Sequence, residues 1–320
     1  MRDEQTRDPV RPNPALGAGL GRCAFTADRG GGHPRGARVP RALIALFAGA
    51  VWSGQGPASV AAEVTLLPGP STFRPLLADP REAHHVLRYL VGDGRARGEA
   101  AFGDTFGLIR VDAAVPVQLG VQASVYTRFN RDVDSVGFLD INSADYAIVF
   151  PVDVRAGDLD LRMGVGHLSS HLGETEVQRR IVFGGTNFFD RSFLYRRDFV
   201  RGAASFDVTG SLRVYAGGSY AIHVVPNRGR AAAQAGAELV GRPWPWGSVI
   251  RRWYAAADVQ SWAEADWAVS ADLQAGLWIN AAGSARGLRV AVDVYQGRSP
   301  QRILGLQRER YGGIALYFEL

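Results

Sequence analysis

The stretch Asp158-Leu-Asp-Leu-Arg-Met-Gly-Val-Gly-His-Leu-Ser-Ser-His-Leu172 decides how the rest of the chain is interpreted. Side chains alternate between the two faces of a β-strand, so residues two apart share a side. The odd-numbered positions are apolar up to residue 165, and the next three are His167, Ser169 and His171. The even-numbered positions carry mainly charged residues and glycines. The stretch therefore predicts a strand with one charged face and one apolar face that ends in a polar cluster.

The same alternation of apolar and polar residues recurs along most of the chain. It is found in further segments of about 10–15 residues, which are long for the strands of a soluble protein. These segments are 115–125, 145–155, 212–224, 267–280 and 288–295. Long segments with a two-residue repeat, joined by turns, are typical of a transmembrane β-barrel, in which the apolar face meets lipid.

The lengths of the connections support the same architecture. Two of them, 155–158 and 208–211, are tight, whereas 130–143, 173–194 and 298–311 are long. Bacterial barrels alternate short periplasmic turns with longer extracellular loops. With 84–91 and 98–110 as the first two strands, the sequence predicts an all-β fold, an antiparallel transmembrane β-barrel of about 12 strands with both termini periplasmic. The weak pattern of those first two strands leaves ten as the alternative count.

Charged residues of both signs are predicted to face the inside of this barrel. Isolated buried charges are costly, so their density predicts a network of ion pairs and a plugged lumen in place of an open pore. The predicted inward residues are Asp153, Arg155, Asp160, Arg162, Arg197, Arg201, Asp207, Arg213, Glu238, Arg252, Asp258, Asp272, Arg289 and Asp293.

The chain begins with segments that differ in composition from the barrel. Residues 1–38 have no periodicity and are interpreted as a disordered leader or a start codon placed too far upstream. Residues 39–62 combine basic residues, an apolar run and a small-residue stretch, which predicts a signal peptide. We expect a periplasmic N-terminal segment over 63–83 and the barrel over 84–320. This organisation predicts an exported protein of the Gram-negative outer membrane.

Composition limits the partners of the chain. The formal net charge of +5 comes largely from residues 1–62, which hold 8 Arg against 4 acidic residues, so the remainder is close to neutral. No basic patch indicates nucleic-acid binding. The single cysteine, Cys23, lies in the leading segment, so the mature chain has no cysteine for a disulfide. The final strand, 314–320, alternates like the closing strand that the outer-membrane assembly machinery recognises, although it ends on Leu320 where most such proteins end on Phe.

One set of polar residues is predicted to share the outer wall near the extracellular rim. His167 and Ser169 lie on the apolar face of their strand, and Asp198 lies on the apolar face of the next strand at a similar height. A hydroxyl, an imidazole and an acid that orients it are the groups that nucleophilic hydrolysis requires. The pattern predicts a Ser-His-Asp site for which a membrane lipid is the accessible substrate.

Other interpretations of these residues stay open. His167 and His171 could belong to a polar and aromatic girdle, or bind a lipopolysaccharide phosphate. Residues four apart on a strand are roughly 13 Å apart, too far to ligate one metal ion. Alternative third members of the catalytic set are Glu174, Glu176 and Asn187 on the following loop.

The sequence His167-Leu-Ser169-Ser170 resembles the His-x-Ser-Asn element of outer membrane phospholipase A and of the outer-membrane lipid A 3-O-deacylase. This resemblance implies that Ser169 is the nucleophile and His167 the base, with Asp198 in the place of the Asn or Glu of those enzymes. It departs at Ser170, where Asn is usual, and His171 has no counterpart. It implies a phospholipid or lipid A substrate, and calcium as a cofactor by resemblance only; the residues themselves indicate no cofactor.

Three further segments, 76–82, 103–108 and 167–173, are similar to an uncharacterised family of exported Gram-negative barrel proteins. This resemblance implies the barrel fold and brings no known activity. The expected partners are outer-membrane lipids or lipopolysaccharide and the barrel assembly machinery. The sequence thus predicts an acyl-ester hydrolase of the outer membrane or, as the alternative, a structural, lipopolysaccharide-binding or narrow-channel barrel.

Overall fold

The computed structural model describes residues 62–130, 140–184, 194–243, 249–279 and 286–319. Several sequence predictions fall outside these ranges: the leader 1–38, the signal peptide apart from its last residue, Cys23, Asn187 and the terminal Leu320.

Thirteen strands, one α-helix and two short 3-10 helices, Ala263–Ala265 and Arg302–Leu304, are found in the described residues, and twelve of the strands form a closed antiparallel barrel. Each strand pairs with the next in sequence, and β13 closes the barrel by pairing with β2. The short β1 adds to the edge of β3. The bounds are β1 Glu63–Leu66, β2 His85–Gly92, β3 Arg95–Asp112, β4 Val117–Asn130, β5 Asp140–Ala156, β6 Leu159–Leu172, α1 Glu174–Gly184, β7 Tyr195–Asp207, β8 Leu212–Val225, β9 Ala231–Val240, β10 Ile250–Trp262, β11 Val269–Ile279, β12 Gly287–Arg298 and β13 Arg308–Glu319.

The predicted fold is confirmed, including the count of twelve barrel strands. The alternation of side chains sets the register because one face of each strand must be apolar, and a shift of one residue would reverse every side chain. The connections 113–116, 157–158 and 208–211 lie at one end, here called the turn end. At the opposite end, the loop end, β4 and β6 end, β5 and β7 begin, and the connection 299–307 lies between β12 and β13. β1 was not predicted.

The outer face of the barrel is apolar. Among the outward side chains, Val165 is 53% exposed, Tyr220 52% and Ile314 59%. A belt of exposed apolar side chains around a closed barrel is the surface that a membrane-spanning barrel presents to lipid. In the described part of the chain, no helix has the length and apolar character needed to cross a membrane.

The lumen is filled by paired charges, as the mixed inward residues predicted. Arg128 lies 2.7 Å from Glu99 and 2.5 Å from Glu309. Arg162 contacts Asp153 at 2.7 Å, and these five side chains are all less than 10% exposed. Because a buried charge is tolerated when it is paired and hydrogen-bonded, the network allows these residues to occupy the interior.

The segment before β2 passes through the lumen, which the sequence did not indicate. Residues 70–84 lie against the inner wall, with Phe73 and Leu76 buried. The wall satisfies the segment's backbone: Arg213 donates to the Pro75 carbonyl at 2.7 Å, and the Leu77 N–H donates to Glu238 at 2.7 Å. The segment, named here the inner segment, therefore forms a plug for the turn-end half of the barrel.

The connection 299–307 also folds into the lumen, from the loop end. The backbone N–H of Arg302 donates to Asp145 at 2.9 Å, and that of Ile303 donates to Ser170 at 3.0 Å. Asp145 is fully buried and also pairs with Arg81 of the inner segment at 2.8 Å. The inner segment and the connection 299–307 therefore both contact the Asp145 carboxylate on the inner face of β5.

Candidate active site on the outer wall

The pairing of β6 with β7 places the predicted site residues next to each other. His167 is directly opposite Asp198, and Ser169 is directly opposite Arg196. Both residues of each pair point outward, since the inward neighbours Leu168 and Arg197 are buried. The site therefore lies on the lipid-facing wall towards the loop end, as the alternation of the two strands predicted.

A glycine on the inner face of β6 shapes the wall behind this site. A Cβ at Gly166 would lie 2.9 Å from the Phe199 ring and 2.9 Å from a Val149 methyl. The absence of a side chain at residue 166 lets Phe199 pack against the backbone of β6. This packing holds the two strands in the register that sets His167 opposite Asp198.

The contact between His167 and Asp198 is short and exposed. His167 Nδ1 lies 2.6 Å from Asp198 Oδ1, and the two side chains are 47% and 50% exposed. A carboxylate only accepts hydrogen bonds, so the proton of this contact is on the imidazole Nδ1. This arrangement leaves Nε2 as the ring nitrogen that can take a proton from a hydroxyl.

A second imidazole, His223, lies on the other side of Asp198. His223 Nδ1 is 3.5 Å from Asp198 Oδ2, and its side chain is 53% exposed. A bulge brings it there: β8 pairs His223 with Asp198 but Ala221 with Phe199, so Ile222 is an extra residue. Bulges re-aim side chains in this way. Uniform alternation over 212–224 would place His223 on the inner face and Val224 on the outer face, but in the structure His223 is exposed and Val224 is buried.

Ser169 is partly exposed on the same wall, two residues beyond His167. No hydrogen bond joins its hydroxyl to His167 within the described residues. Successive residues on one strand face are about 6.6 Å apart along the strand, a span that the two side chains can bridge. Catalytic hydrogen bonds are often long in a free enzyme and shorten when substrate binds.

The other candidates lie apart from this pair. His171 packs edge-on against Tyr146, with ring centroids 5.9 Å apart, and is not in contact with Asp198. Glu176 pairs with Arg179 at 3.1 Å and with Arg180 at 2.9 Å, so it is engaged within α1. Across the described residues, no group of three or more His, Cys, Asp or Glu side chains could hold a metal ion.

Apolar side chains and one arginine surround the site on the outer wall. Val165 and Val200 lie on the turn-end side of the pair and are exposed on the outer wall. Arg196 is exposed opposite Ser169. Acyl chains would contact the apolar part of this surface, and an anionic lipid group would be attracted to the guanidinium. The arrangement is chemically suited to an amphiphilic, negatively charged substrate.

Comparisons with known proteins give one family and several similar solved structures. A model of the family described as "Protein of unknown function (DUF1207)" matches residues 50–320. No curated protein matches the chain. Among solved structures, outer membrane phospholipase A from Escherichia coli is similar with 14% identity and a TM-score of 0.48, over 77% of this chain and 94% of that chain.

Two more solved structures are similar to this chain. The Salmonella typhi outer membrane phospholipase dimer with bound calcium has 13% identity and a TM-score of 0.48, over 77% of this chain and 94% of that chain. The KdgM porin has 10% identity and a TM-score of 0.41, over 72% of this chain and 96% of that chain.

Proposed function

The chain belongs to the DUF1207 family, and we propose that it is an outer-membrane acyl-ester hydrolase that acts on phospholipid or lipid A. The observation that carries this proposal is the 2.6 Å contact between His167 and Asp198 on the exposed wall, beside Ser169 on the same strand face. A girdle of polar residues requires neither an acid opposite the imidazole nor a hydroxyl two residues along.

The proposed chemistry follows from the positions of these groups. His167 Nε2 takes the proton of the Ser169 hydroxyl as its oxygen attacks the ester carbonyl of the lipid. Collapse of the tetrahedral intermediate breaks the ester bond, and His167 returns the proton to the departing alcohol oxygen. Water then attacks the acyl-enzyme by the same route and releases the fatty acid. Asp198 holds the Nδ1 proton and stabilises the imidazolium that forms.

Arg196 is assigned to substrate binding in this scheme. It lies opposite Ser169, and among the described residues no ion pair engages it. An arginine can bind a phosphate through two parallel hydrogen bonds. Both phospholipid and lipid A carry phosphate, so this residue fits either substrate and does not separate them. Location in the outer membrane and export through the signal peptide at 39–62 are parts of the same proposal.

The test compares lipid turnover by the folded barrel with that of two variants. Ser169→Ala and His167→Asn should each abolish release of fatty acid from phospholipid or lipid A in mixed micelles, because each removes one member of a unit. Heat-modifiable migration on a gel checks that each variant is folded. Mass spectrometry of lipids from cells with and without the protein identifies the substrate. Turnover equal to that of the unchanged protein would contradict the proposal.

An absence of turnover in the unchanged protein, with or without calcium, would favour a structural or lipopolysaccharide-binding barrel. A narrow channel is distinguished by discrete conductance steps in a planar bilayer. The inner segment and the connection 299–307 fill the lumen, and their contacts on Asp145 leave no wide path. We therefore expect no large conductance steps from the intact barrel.

A further inference from the structure

The lumen contains a cavity between the inner segment and the wall formed by β4 to β10. Its volume is about 130 Å³, and Phe73 and Leu76 of the inner segment contribute to its lining. Five arginines also line it. This cavity lies on the opposite side of the wall from Ser169 and is not involved in the proposed hydrolysis.

Three of the five arginines are neutralised by carboxylates. Arg81 lies 2.8 Å from Asp145, Arg162 lies 2.7 Å from Asp153, and Arg302 lies 3.2 Å from Glu264. The remaining two, Arg197 and Arg201, have no carboxylate within ion-pair distance among the described residues. Both lie on the inner face of β7, on either side of Phe199.

Arg197 is partly compensated by other groups. Its guanidinium lies 5.3 Å from the centre of the Phe199 ring and 4.9 Å from that of Trp262. It also donates to Ser219 at 3.3 Å. Aromatic faces attract a cation, and the attraction is larger where water is excluded. Arg197 therefore has neutral partners for its charge.

Arg201 has fewer partners for its charge than Arg197. Its one hydrogen bond in the described structure is to Gln122, and its Nε has no partner. A guanidinium carries five N–H donors, and a charge removed from water without a counterion is costly. Arg201 is half-buried and faces the cavity that it lines. Its unused donors are thus available to a molecule inside the cavity.

Two acids of the inner segment also line the cavity but are directed to other groups. Asp79 accepts from Gln260 at 2.9 Å. Glu82 accepts from Gln122 at 3.1 Å and lies 3.8 Å from Arg162. Neither reaches Arg201 within ion-pair distance. Both acids therefore attract Arg201 only from beyond ion-pair distance, and neither accepts a hydrogen bond from its guanidinium.

The wall beside Arg201 is apolar, with Val149, Leu168 and Phe199 packed as one cluster. We propose that the cavity binds a small organic carboxylate, with its carboxylate on the guanidinium of Arg201 and its hydrocarbon part against this cluster. The volume suits such a molecule, because an engineered apolar cavity of roughly 150 Å³ accommodates benzene. Inorganic phosphate would satisfy the charge but not the apolar wall.

The test uses butyrate, its neutral analogue butyramide, and inorganic phosphate. The full-length barrel is refolded from urea in detergent with each compound, so that entry into the lumen is not limiting. The urea midpoint is followed by heat-modifiable migration. Butyrate should raise the midpoint of the unchanged protein, whereas butyramide and phosphate at the same concentration should not, since only butyrate offers both a charge and a hydrocarbon chain.

Arg201→Gln should require at least a tenfold higher butyrate concentration for the same shift. Arg308→Gln is the matched control, since it removes an exposed arginine from another strand of the barrel and should respond like the unchanged protein. Equal shifts with butyrate and butyramide, a shift with phosphate alone, or no shift with any compound would each overturn the proposal. The comparison of the three compounds on the unchanged protein decides the matter even where Arg201→Gln does not refold.

Discussion

The two faces of β6 carry similar polar residue types, but the polar side chains of the two faces differ in how many hydrogen-bond partners they have. On the inner face, Arg162 donates to Asp153 and to Ser71 of the inner segment, and Ser170 bonds to Asp145 while accepting from the Ile303 N–H. On the outer face, His167 has one partner in the described structure, at 2.6 Å. The inward side chains Arg162 and Ser170 each have more than one hydrogen-bond partner, whereas the outward His167 keeps its Nε2 unused.

This difference follows from what surrounds each face. The inner segment, the connection 299–307 and inward side chains occupy the lumen, so a polar group there depends mainly on protein partners, and each unpaired atom costs free energy. Near the rim of the outer wall, lipid headgroups and water can solvate an imidazole or a carboxylate. A reactive group needs such unused hydrogen-bonding capacity, and the outer face near the loop end is where this barrel can keep it at low cost.

The largest expected effect comes from making one substitution on both faces. Asp153→Ala removes the nearer carboxylate of Arg162, at 2.7 Å, and leaves Glu82 at 3.8 Å; Asp153 and Arg162 are both less than 5% exposed. Breaking a buried pair in this way costs about 3–5 kcal/mol of unfolding free energy. Asp198→Ala breaks an exposed pair and should cost about 0–1 kcal/mol. Urea unfolding followed by heat-modifiable migration measures both.

The double variant Asp153→Ala/Arg162→Leu is the control for this prediction. It removes the unpaired charge together with its partner and should recover part of the loss, because the cost lies mainly in the uncompensated guanidinium. Equal destabilisation by Asp153→Ala and Asp198→Ala would mean that the two faces do not differ in the way described.

The second prediction concerns activity. For activity, the outer-face residue Asp198 should matter more than the inner-face residue Asp153, which is the reverse of their order for stability. Asp198→Ala should lower the rate of ester hydrolysis by about a hundredfold, less than Ser169→Ala, because the acid orients the base and makes no bond to the substrate. Asp198→Asn should retain much more activity, since an amide oxygen can still accept from His167 Nδ1. Initial rates on mixed micelles give the values. Loss with Asn as severe as with Ala would exclude this orienting role.

How far the sequence predicts this molecule depends on how regular each part is. The strands follow a two-residue repeat, so their number and the outward face of Ser169, His167 and Asp198 could be predicted from parity alone. The inner segment has no repeat, and its place in the lumen depends on contacts with distant residues such as Glu238. Parity also fails at one irregular point, the bulge that turns His223 outward.

The third prediction tests that bulge. His223→Ala should lower the rate no more than about fivefold, since an exposed contact at 3.5 Å is worth at most about 1 kcal/mol. The change should appear in kcat and leave KM as it is, because His223 acts on Asp198 and not on the lipid. His223→Gln, which can still donate to Asp198, should restore the rate. A change in KM with kcat unaffected would instead place His223 in lipid binding.

The smallest effect is expected from the imidazole that looks equivalent to His167. Ser169 has one histidine two residues before it and another, His171, two residues after it on the same strand face. Register separates the two: Asp198 lies opposite His167, whereas β7 pairs with β6 only as far as Ser170, and His171 packs on Tyr146. An imidazole without an acid partner has nothing to fix its tautomer.

His171→Ala should therefore change the rate of ester hydrolysis by less than twofold, while His167→Ala abolishes it. The pair forms an internal control, since the same side chain is removed at equal sequence distance from Ser169. Initial rates of both variants, with gel migration as the check on folding, measure the difference. If His171→Ala were the inactive variant, the base would lie on the loop-end side of Ser169, and the contact between His167 and Asp198 would have only a structural role.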